Sequence, residues 1–379
     1  MKDVYGTPSG GKAKDIHEDV RLHLFRNDFL PTDGDKRILQ VEINSISAGF
    51  AGIIESLSCI HFSNRMQYYP WLNGELPLNN PSSSFAGAMA KALHLNNLKW
   101  GRTASAVLFV IESDEKNVVD QYAIERCLTL KHRITVIRRT LAQITQNGGI
   151  DSNGLLVVEG IEIALVYFRS GYGPEHYPSE MEWSARSLIE TSRCVKVPSV
   201  LAQLAGTKKV QQLWYDKNGS SLKRFGVSDS DAVQLSQVFA TQVDPSQDQD
   251  MRQKAIQNPE TWVLKPQREG GGHNLYDMQL KAALTSLSKD QLSQYVLMER
   301  MTPEPLPALV VDGQATQEQR KIVPAIIDEA VSELGIFSYY LPSLGENCVC
   351  GHMLRTKEKN VREGGVNAGF SVLDTVHLV

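Results

Sequence analysis

The residues best suited to chemistry lie in a glycine-rich segment of the second half of the chain. Residues 262–276 read WVLKPQREGGGHNLY, a short strand ending at Lys265, a charged turn, and three glycines at 270–272. Consecutive glycines add no packing and cost backbone entropy, so they favour a loop whose N–H groups close over phosphate oxygens. Lys265 would add charge for the same phosphates, and Glu269 could hold a bridging divalent metal. The spacing matches neither a P-loop nor GxGxxG, and a flexible hairpin without a ligand is the structural alternative.

A second pattern pairs a carboxylate with an amide. Residues 38–44 read ILQVEIN, a mixture typical of a strand, and on a strand Glu42 and Asn44 point to one face. Carboxylate and amide oxygens form a reasonable hard site for magnesium. A solvated edge strand is the alternative.

Cations form the third pattern. Arg355 and Lys357 alternate after an apolar run, so a strand would direct both into the same space, and the glycine pair at 364–365 would allow a flexible lid. Lys208 and Lys209 follow another apolar segment. Each of these cations has an ordinary surface role as its alternative. Taken together, phosphate cradle, metal face and converging cations indicate phosphoryl chemistry on a nucleotide.

Composition excludes several classes of protein. The chain has 379 residues with 42% apolar and 22% charged residues, typical of a folded soluble protein of two or three domains. A net charge of −4 argues against general nucleic-acid binding, and no run is apolar enough to span a bilayer. The charged N-terminus is not typical of a secretory signal. Five scattered cysteines without a CxxC pair predict free thiols in a reducing, cytoplasmic compartment.

The elements that must position these residues follow from periodicity. Continuous apolar runs at 105–111 and 134–137 predict buried parallel strands, and Glu159-Gly160 predicts a tight turn between strands at 155–158 and 161–168. We therefore predict an α/β fold in which residues 104–206 form a compact α/β unit of their own, between residues 1–103 and 207–379.

Weaker patterns give three further expectations. The first thirty residues are weakly patterned, residues 228–242 predict a helix, and the polar residues 247–252 predict a surface loop.

Five segments resemble signature segments of the eukaryotic-type glutathione synthetases. They read EINSISAGF, LAGTKKVQQ, LKPQREGGGHNLY, SELGIFSYYL and GHMLRTK followed by EGGVNAGF, in the family's order across most of the chain. The resemblance implies an ATP-grasp fold and a homodimer. It implies that 1–103 is the N-terminal part of the main ATP-grasp body, that 104–206 is an inserted Rossmann-like α/β substrate-binding domain, and that 207–379 is the ATP-grasp catalytic region with the glycine-rich lid. It also implies magnesium-dependent ligation of γ-glutamylcysteine and glycine to glutathione, with ADP, phosphate and an acyl-phosphate intermediate.

The resemblance assigns roles residue by residue. The implied magnesium ligands are Glu42, Asn44 and Glu269. The implied ATP contacts are Glu42, Lys208, Lys265, Gly270, Gly271, Gly272, Asn274, Tyr276, Met298, Glu299, Arg300, Met301, Glu333, Lys357 and Glu363. The implied substrate contacts are Arg26, Ser47, Ala48, Gly49, Glu115, Lys116, Asn117, Gln121, Arg169, Ser170, Gly171, Tyr172, Arg355, Val366 and Asn367. Arg26, Lys265, Arg355 and Lys357 are the residues expected to assist the chemical step.

Departures from the family pattern leave two alternatives. Gly49 stands where many members have serine, and Asn367 lies in GGVNAG where GGVAAG is usual. A larger polar group in the lid would suit another small acceptor such as β-alanine, hence a related ATP-grasp ligase. The second alternative is an inactive nucleotide-binding paralogue, against which the intact metal ligands and the Arg355/Lys357 pair argue.

Overall fold

The protein is described by a computed structural model that covers residues 20–32, 37–68, 70–71, 73–215, 219–268, 272–311, 324–361, 365–366, 369 and 371–378. In chain order, its strands are β1 (His23–Pro31), β2 (Ile38–Asn44), β3 (Ala106–Val110), β4 (Thr135–Arg139), β5 (Gly148–Ile150), β6 (Leu156–Val158), β7 (Ile161–Phe168), β8 (Val195–Val197), β9 (Gln242–Val243), β10 (Trp262–Pro266), β11 (Leu275–Tyr276), β12 (Tyr295–Glu299), β13 (Leu306–Val311), β14 (Pro324–Leu341), β15 (Glu346–Glu358) and β16 (Val372–Asp374).

The helices are α1 (Ala51–Tyr68), α2 (Pro81–Trp100), α3 (Val118–Arg126), α4 (Leu141–Asn147), α5 (Glu180–Thr191), α6 (Val200–Ala205), α7 (Lys208–Gln212), α8 (Ser220–Lys223), α9 (Asp229–Ser236), α10 (Gln249–Gln257), α11 (Asp277–Ser286) and α12 (Lys289–Leu292).

The largest antiparallel sheet joins the two ends of the chain. Its order is β16-β15-β14-β1-β2, with β13 also paired to β14. The register places Asp28 opposite both Glu42 and Gly335, and Glu333 opposite Arg355. Because directly opposed residues lie on one face of a sheet, four polar side chains from distant segments meet there.

A second sheet occupies the middle of the chain. Strands β4, β3, β7 and β8 are parallel, while β5 and β6 extend the sheet as antiparallel strands. All five residues of β3 are buried, as a strand covered on both faces requires. Its carboxyl edge presents the loops that follow β3 and β7, where binding residues of such sheets usually lie.

A third sheet, of order β11-β10-β12-β9, carries Lys265, the next-to-last residue of β10. The main hydrophobic core joins the sheets: Phe337 and Met353 of the large sheet pack with Phe85 of α2 and Phe109 of β3. This packing fixes the large sheet against the parallel sheet, so residues on both keep a defined separation.

Several sequence predictions are confirmed. Strand β2 has the predicted bounds and so does β7, and the hairpin between β6 and β7 turns through Glu159 and Gly160 with φ of 52° and 78°. Both φ values are positive, as the favoured two-residue hairpin turn requires. All five cysteines are free.

Three predictions were wrong. The helix predicted over 228–242 is only α9, because the carbonyl of Val238 accepts a bond from the N–H of Gln40 at 2.7 Å and Gln242 enters β9. The loop predicted over 247–252 contains the start of α10, whose N-cap Asp248 accepts from the N–H of Met251. The weakly patterned N-terminal segment contains β1, and Leu22, just before it, and Leu24, Arg26 and Asp28, within it, are buried in alternation.

Candidate active site

A cavity of about 310 Å³ lies between the large antiparallel sheet and the third sheet. Its walls contain the following residues predicted to act in the reaction: Arg26, Glu42, Asn44, Lys208, Lys265, Asn274, Tyr276, Met298, Glu299, Arg300, Met301, Glu333, Arg355 and Lys357. Segments that are far apart in the sequence therefore converge on one cleft, as a shared nucleotide site requires.

Buried charges alternate across the floor of this cleft. Asp28 accepts from Nε of Arg26 at 2.7 Å, from the amide of Asn44 at 2.9 Å and from Arg355 at 3.2 Å. Arg355 also pairs with Glu333. Burial lowers the pKa of Arg355, but the neighbouring carboxylates outweigh it, so the pKa rises and the cation is permanent.

A buried donor remains available at this point. Nε of Arg355 has no hydrogen-bond partner within the described part of the chain. Such a group costs free energy unless a ligand satisfies it, so it suits an oxygen of an anionic substrate.

Glu42 stands beside two lysines at the mouth of the cleft. Lys208 lies 3.1 Å from its carboxylate, and Lys265 reaches the carbonyl of Val41 at 3.2 Å. Burial by itself would raise the pKa of Glu42, but the two ammonium groups lower it to about 2. The carboxylate is therefore ionised at any physiological pH.

Helix α7 contacts both the strand that carries Glu42 and the segment that contains the glycines. The amide of Gln211 accepts from the N–H of Ile43 at 2.8 Å and donates to the carbonyl of the same residue at 3.2 Å, which completes the exposed edge of β2. Lys208 donates to the carbonyl of Arg268 at 3.0 Å. Arg268, which precedes the glycines in the sequence, thus contacts a lysine that is expected to hold phosphates.

Part of the wall of the cleft is apolar. Met298 and Val263 belong to a small hydrophobic cluster with Leu39, and the guanidinium of Arg300 lies 5.8 Å from the ring centre of Tyr276. Apolar walls beside a polar edge suit a planar base.

The implied dipeptide site lies beside the cleft, at the carboxyl edge of the parallel sheet. Arg26 donates to the carbonyl of Gly49 at 3.2 Å and so joins the two regions. Arg169 is buried, pairs with Asp120 at 3.1 Å and reaches the carbonyl of Ala48 at 3.4 Å. Its own carbonyl accepts from the Ser47 hydroxyl at 3.1 Å.

Further predicted dipeptide residues cluster around Arg169. Glu115 accepts from the N–H of Asn117 at 2.7 Å and is also bonded to Gln121. A Cβ at Gly49 would lie 3.3 Å from the Asn117 amide nitrogen and 3.4 Å from Arg169, so little space remains there. The loop after β7 carries Ser170, Gly171 and Tyr172.

Some predicted residues belong neither to the wall of the cavity nor to the cluster around Arg169. Gly272, Lys116 and Val366 are described but do not line the cavity. Glu269, Gly270, Gly271, Glu363 and Asn367 lie outside the described residues.

Two buried aspartates were missed by the sequence prediction. Asp28 and Asp120 are each fully buried and paired with an arginine. For the first, Leu22 and Leu24 begin the apolar alternation of a strand with one buried face, but the charged Arg26 and Asp28 interrupt this signal. Asp120 lies in a helix and has no comparable signal.

The oxygen donors among the described residues agree with a magnesium site. Glu42 offers an ionised carboxylate, and the Asn44 amide nitrogen is bonded to Asp28, which leaves its oxygen as the other hard donor. Among the described residues, no group of three or more His, Cys, Asp or Glu side chains could hold a metal ion. The third predicted ligand, Glu269, lies outside the described residues. Water and phosphate oxygens commonly complete the coordination of magnesium in nucleotide sites.

Comparison with known proteins agrees with this geometry. The family model described as eukaryotic glutathione synthase, ATP binding domain, matches residues 4–378. The chain belongs to the eukaryotic glutathione synthase family. The predicted α/β fold class with an ATP-grasp body is thereby confirmed.

Related sequences come from plants and animals. The chain is 38% identical to the chloroplastic glutathione synthetase of Solanum lycopersicum over 373 residues, covering 96% of this chain and 65% of that protein. It is 37% identical to the glutathione synthetase of Homo sapiens over 380 residues, with 96% and 76% covered. The chain thus spans about two thirds of the plant relatives and about three quarters of the animal ones.

A solved structure supports the fold. A glutathione synthetase-like effector from Globodera pallida superposes with a TM-score of 0.70 at 20% identity, over 96% of this chain and 77% of that one. Within the described ranges, no helix has the length and apolar composition needed to cross a membrane.

Proposed function

We propose that the protein uses ATP to join γ-glutamylcysteine to glycine, giving glutathione, ADP and phosphate. The observation that carries the proposal is the single cleft in which Arg26, Glu42, Lys265 and Arg355 meet although they lie far apart in the sequence. The named relatives support the choice of substrates, since they are glutathione synthetases.

The reaction proceeds through two transfers. An oxygen of the cysteinyl carboxylate attacks the γ-phosphorus of ATP, the bond to the β-phosphate oxygen breaks, and ADP leaves. The amine of glycine then attacks the resulting acyl phosphate, loses a proton, and expels phosphate. A carboxylate oxygen is a poor leaving group, and phosphorylation removes this obstacle.

The described residues have distinct tasks in this sequence. Lys208, Lys265 and Lys357 neutralise the phosphates, and the guanidinium groups of Arg26 and Arg355 stabilise the charge that develops on the carboxylate and the transferred group. Arg169 and its neighbours hold the dipeptide. Magnesium bound by Glu42 and Asn44 would supply additional charge at the phosphates.

The direct test measures products from purified protein given ATP, magnesium, γ-glutamylcysteine and glycine. We expect ADP, phosphate and glutathione in equal amounts, and no ADP release without the dipeptide. Oxygen-18 placed in the cysteinyl carboxylate must appear in the released phosphate. Absence of turnover, or ADP release independent of the dipeptide, overturns the proposal.

A panel of acceptors sharpens the substrate assignment. β-Alanine and other small amines, offered in place of glycine, should be used less efficiently, as judged by kcat/KM. A higher kcat/KM for β-alanine would assign the protein to the related ligases instead.

Two further properties belong to the same proposal. We expect a homodimer because of the family resemblance, and a cytoplasmic location because the cysteines are free thiols, which suit a reducing compartment. Sedimentation of the purified chain and fractionation of the source cells measure them directly.

A further inference from the structure

Asp28 has no task in the reaction proposed above, yet it is bonded to three residues that line the cleft, Arg26, Asn44 and Arg355. It is 0% exposed and receives four hydrogen bonds: two from Arg26 at 2.7 and 2.8 Å, one from Asn44 at 2.9 Å and one from Arg355 at 3.2 Å. A buried carboxylate is tolerated only when it is paired and bonded in this way.

The strands leave room for this carboxylate. Asp28 lies opposite Gly335 in the sheet, and a Cβ at Gly335 would approach an Asp28 oxygen to 3.0 Å. A larger residue at 335 would therefore push the carboxylate away from its partners.

The two arginines that share Asp28 extend in different directions. Arg26 continues to the carbonyl of Gly49 in the implied dipeptide loop, whereas Arg355 continues to Glu333 on the nucleotide side. The bidentate contact fixes the plane of the Arg26 guanidinium, and the shared oxygen fixes its separation from Arg355. One carboxylate thus sets the relative position of the cations from both halves of the site.

We propose that Asp28 is the positioning residue that aligns Arg26 and Arg355 on the carboxylate to be phosphorylated. The inference rests on the proposed function, because the arginines have a common target only if a carboxylate accepts the phosphoryl group between them. Misplacement of a charged group by about 1 Å can cost about 100-fold in rate.

Asp28→Asn separates positioning from binding. The substitution keeps the size of the side chain but removes one negative charge, so the cleft becomes more positive and binding of anionic substrates is retained. We expect kcat to fall about 100-fold, with the KM for ATP and for the dipeptide rising less than about threefold. A merely structural role predicts the reverse, a less stable protein whose folded fraction keeps its kcat.

Glu190→Gln is the matched control. Glu190 is also a buried carboxylate, with a side-chain exposure of 3%, and pairs with Arg186 at 3.1 Å on α5, away from the cleft. It should lower thermal stability as much as Asp28→Asn and leave kcat unchanged. Equal kcat losses in the two variants would overturn the inference.

Two further measurements keep the inference testable. If Asp28→Asn does not fold, Asp28→Glu, which displaces the carboxylate by one methylene, must show the same loss of kcat at wild-type KM; an unchanged kcat overturns the inference. A crystal structure of a folded variant tests positioning without activity: displaced guanidinium groups support it, and unmoved ones refute it. If the wild-type protein makes no glutathione, the proposed function fails, whereas the arginine positions still decide this inference.

Discussion

Arg355, which is partly buried, and Arg169, which is buried, are both arginines of the candidate site, but they are held in different ways. Arg355 lies on a strand and faces two carboxylates, Asp28 and Glu333. Arg169 follows β7 and faces one carboxylate, Asp120, together with neutral oxygens of Ala48 and Tyr167. In each, Nε has no partner within the described residues.

We expect this difference to separate two tasks. The first belongs to the end of the site at Arg355, the nucleotide end, and the second to the end at Arg169, the dipeptide end. The nucleotide end balances its charges within one sheet, which suits a place where negative charge changes during the reaction. The dipeptide end places one cation among fixed hydrogen-bonding groups, which suits recognition of an unchanging part of a substrate. Substitutions at the first end should therefore act on kcat, and those at the second on KM.

Arg355→Ala gives the largest effect. We expect kcat to fall about 100- to 1,000-fold, because the lost charge acts mainly on the transition state, while the KM for ATP changes little. Steady-state kinetics measure both constants. Arg139→Ala is the control, since Arg139 pairs with Glu159 at the surface. If Arg355→Ala weakened ATP binding as much as it lowered kcat, Arg355 would be assigned to the nucleotide alone.

Glu42→Gln tests the charge balance through stability. The pKa of Glu42 is about 2 in the folded chain against an ordinary 4.5, so the ionised group stabilises the fold above pH 4.5, and this contribution disappears as pH falls towards 2. The shift corresponds to about 3 kcal/mol of unfolding free energy at neutral pH.

Urea unfolding of the ligand-free protein measures this difference. Wild type and Glu42→Gln should differ most near pH 7 and converge near pH 2. A difference that does not change with pH would contradict the assigned ionisation.

Arg169→Lys probes the dipeptide end. Lysine keeps the charge but cannot contact Asp120 and the neighbouring oxygens with a planar fork. We expect the KM for the dipeptide to rise about tenfold, with the KM for ATP and kcat nearly unchanged. A dominant loss of kcat would show that the two ends do not divide the tasks as described.

Gly49→Ser should have the smallest effect. The added Cβ lies 3.3 Å from Asn117 and 3.4 Å from Arg169, so these side chains must shift by a few tenths of an ångström. We expect the KM for the dipeptide to rise by no more than about threefold, at constant kcat. Gly49→Ala separates the effect of the hydroxyl from that of the added carbon, and a tenfold change in either variant would contradict the expectation.

The sequence predicted those parts of the site whose pattern is local. Strand β2 alternates clearly, so Glu42 and Asn44 were placed on one face, and β10 carries Lys265 ahead of the glycines, although the strand ends one residue later, at Pro266. The family resemblance then connected these segments. Their meeting in one cleft depends on strand pairing across the whole chain, which no local pattern specifies.

Long-range pairing also explains what was missed. Arg26 and Asp28 interrupt the apolar alternation of β1, so a buried strand face resembled an irregular segment. The predicted helix beyond Ser236 gave way to pairing of β9 with β12. In both places a tertiary contact decides a conformation that propensity alone does not.

The pairing of Asp28 with Arg355 spans 327 positions. During synthesis, the residues up to Arg355 must therefore leave the ribosome before this contact can form. An unfinished product ending before β15 would present a buried aspartate without one of its counter-ions and a long unpaired edge on β14. Such fragments are targets for chaperones and proteases rather than partly active proteins.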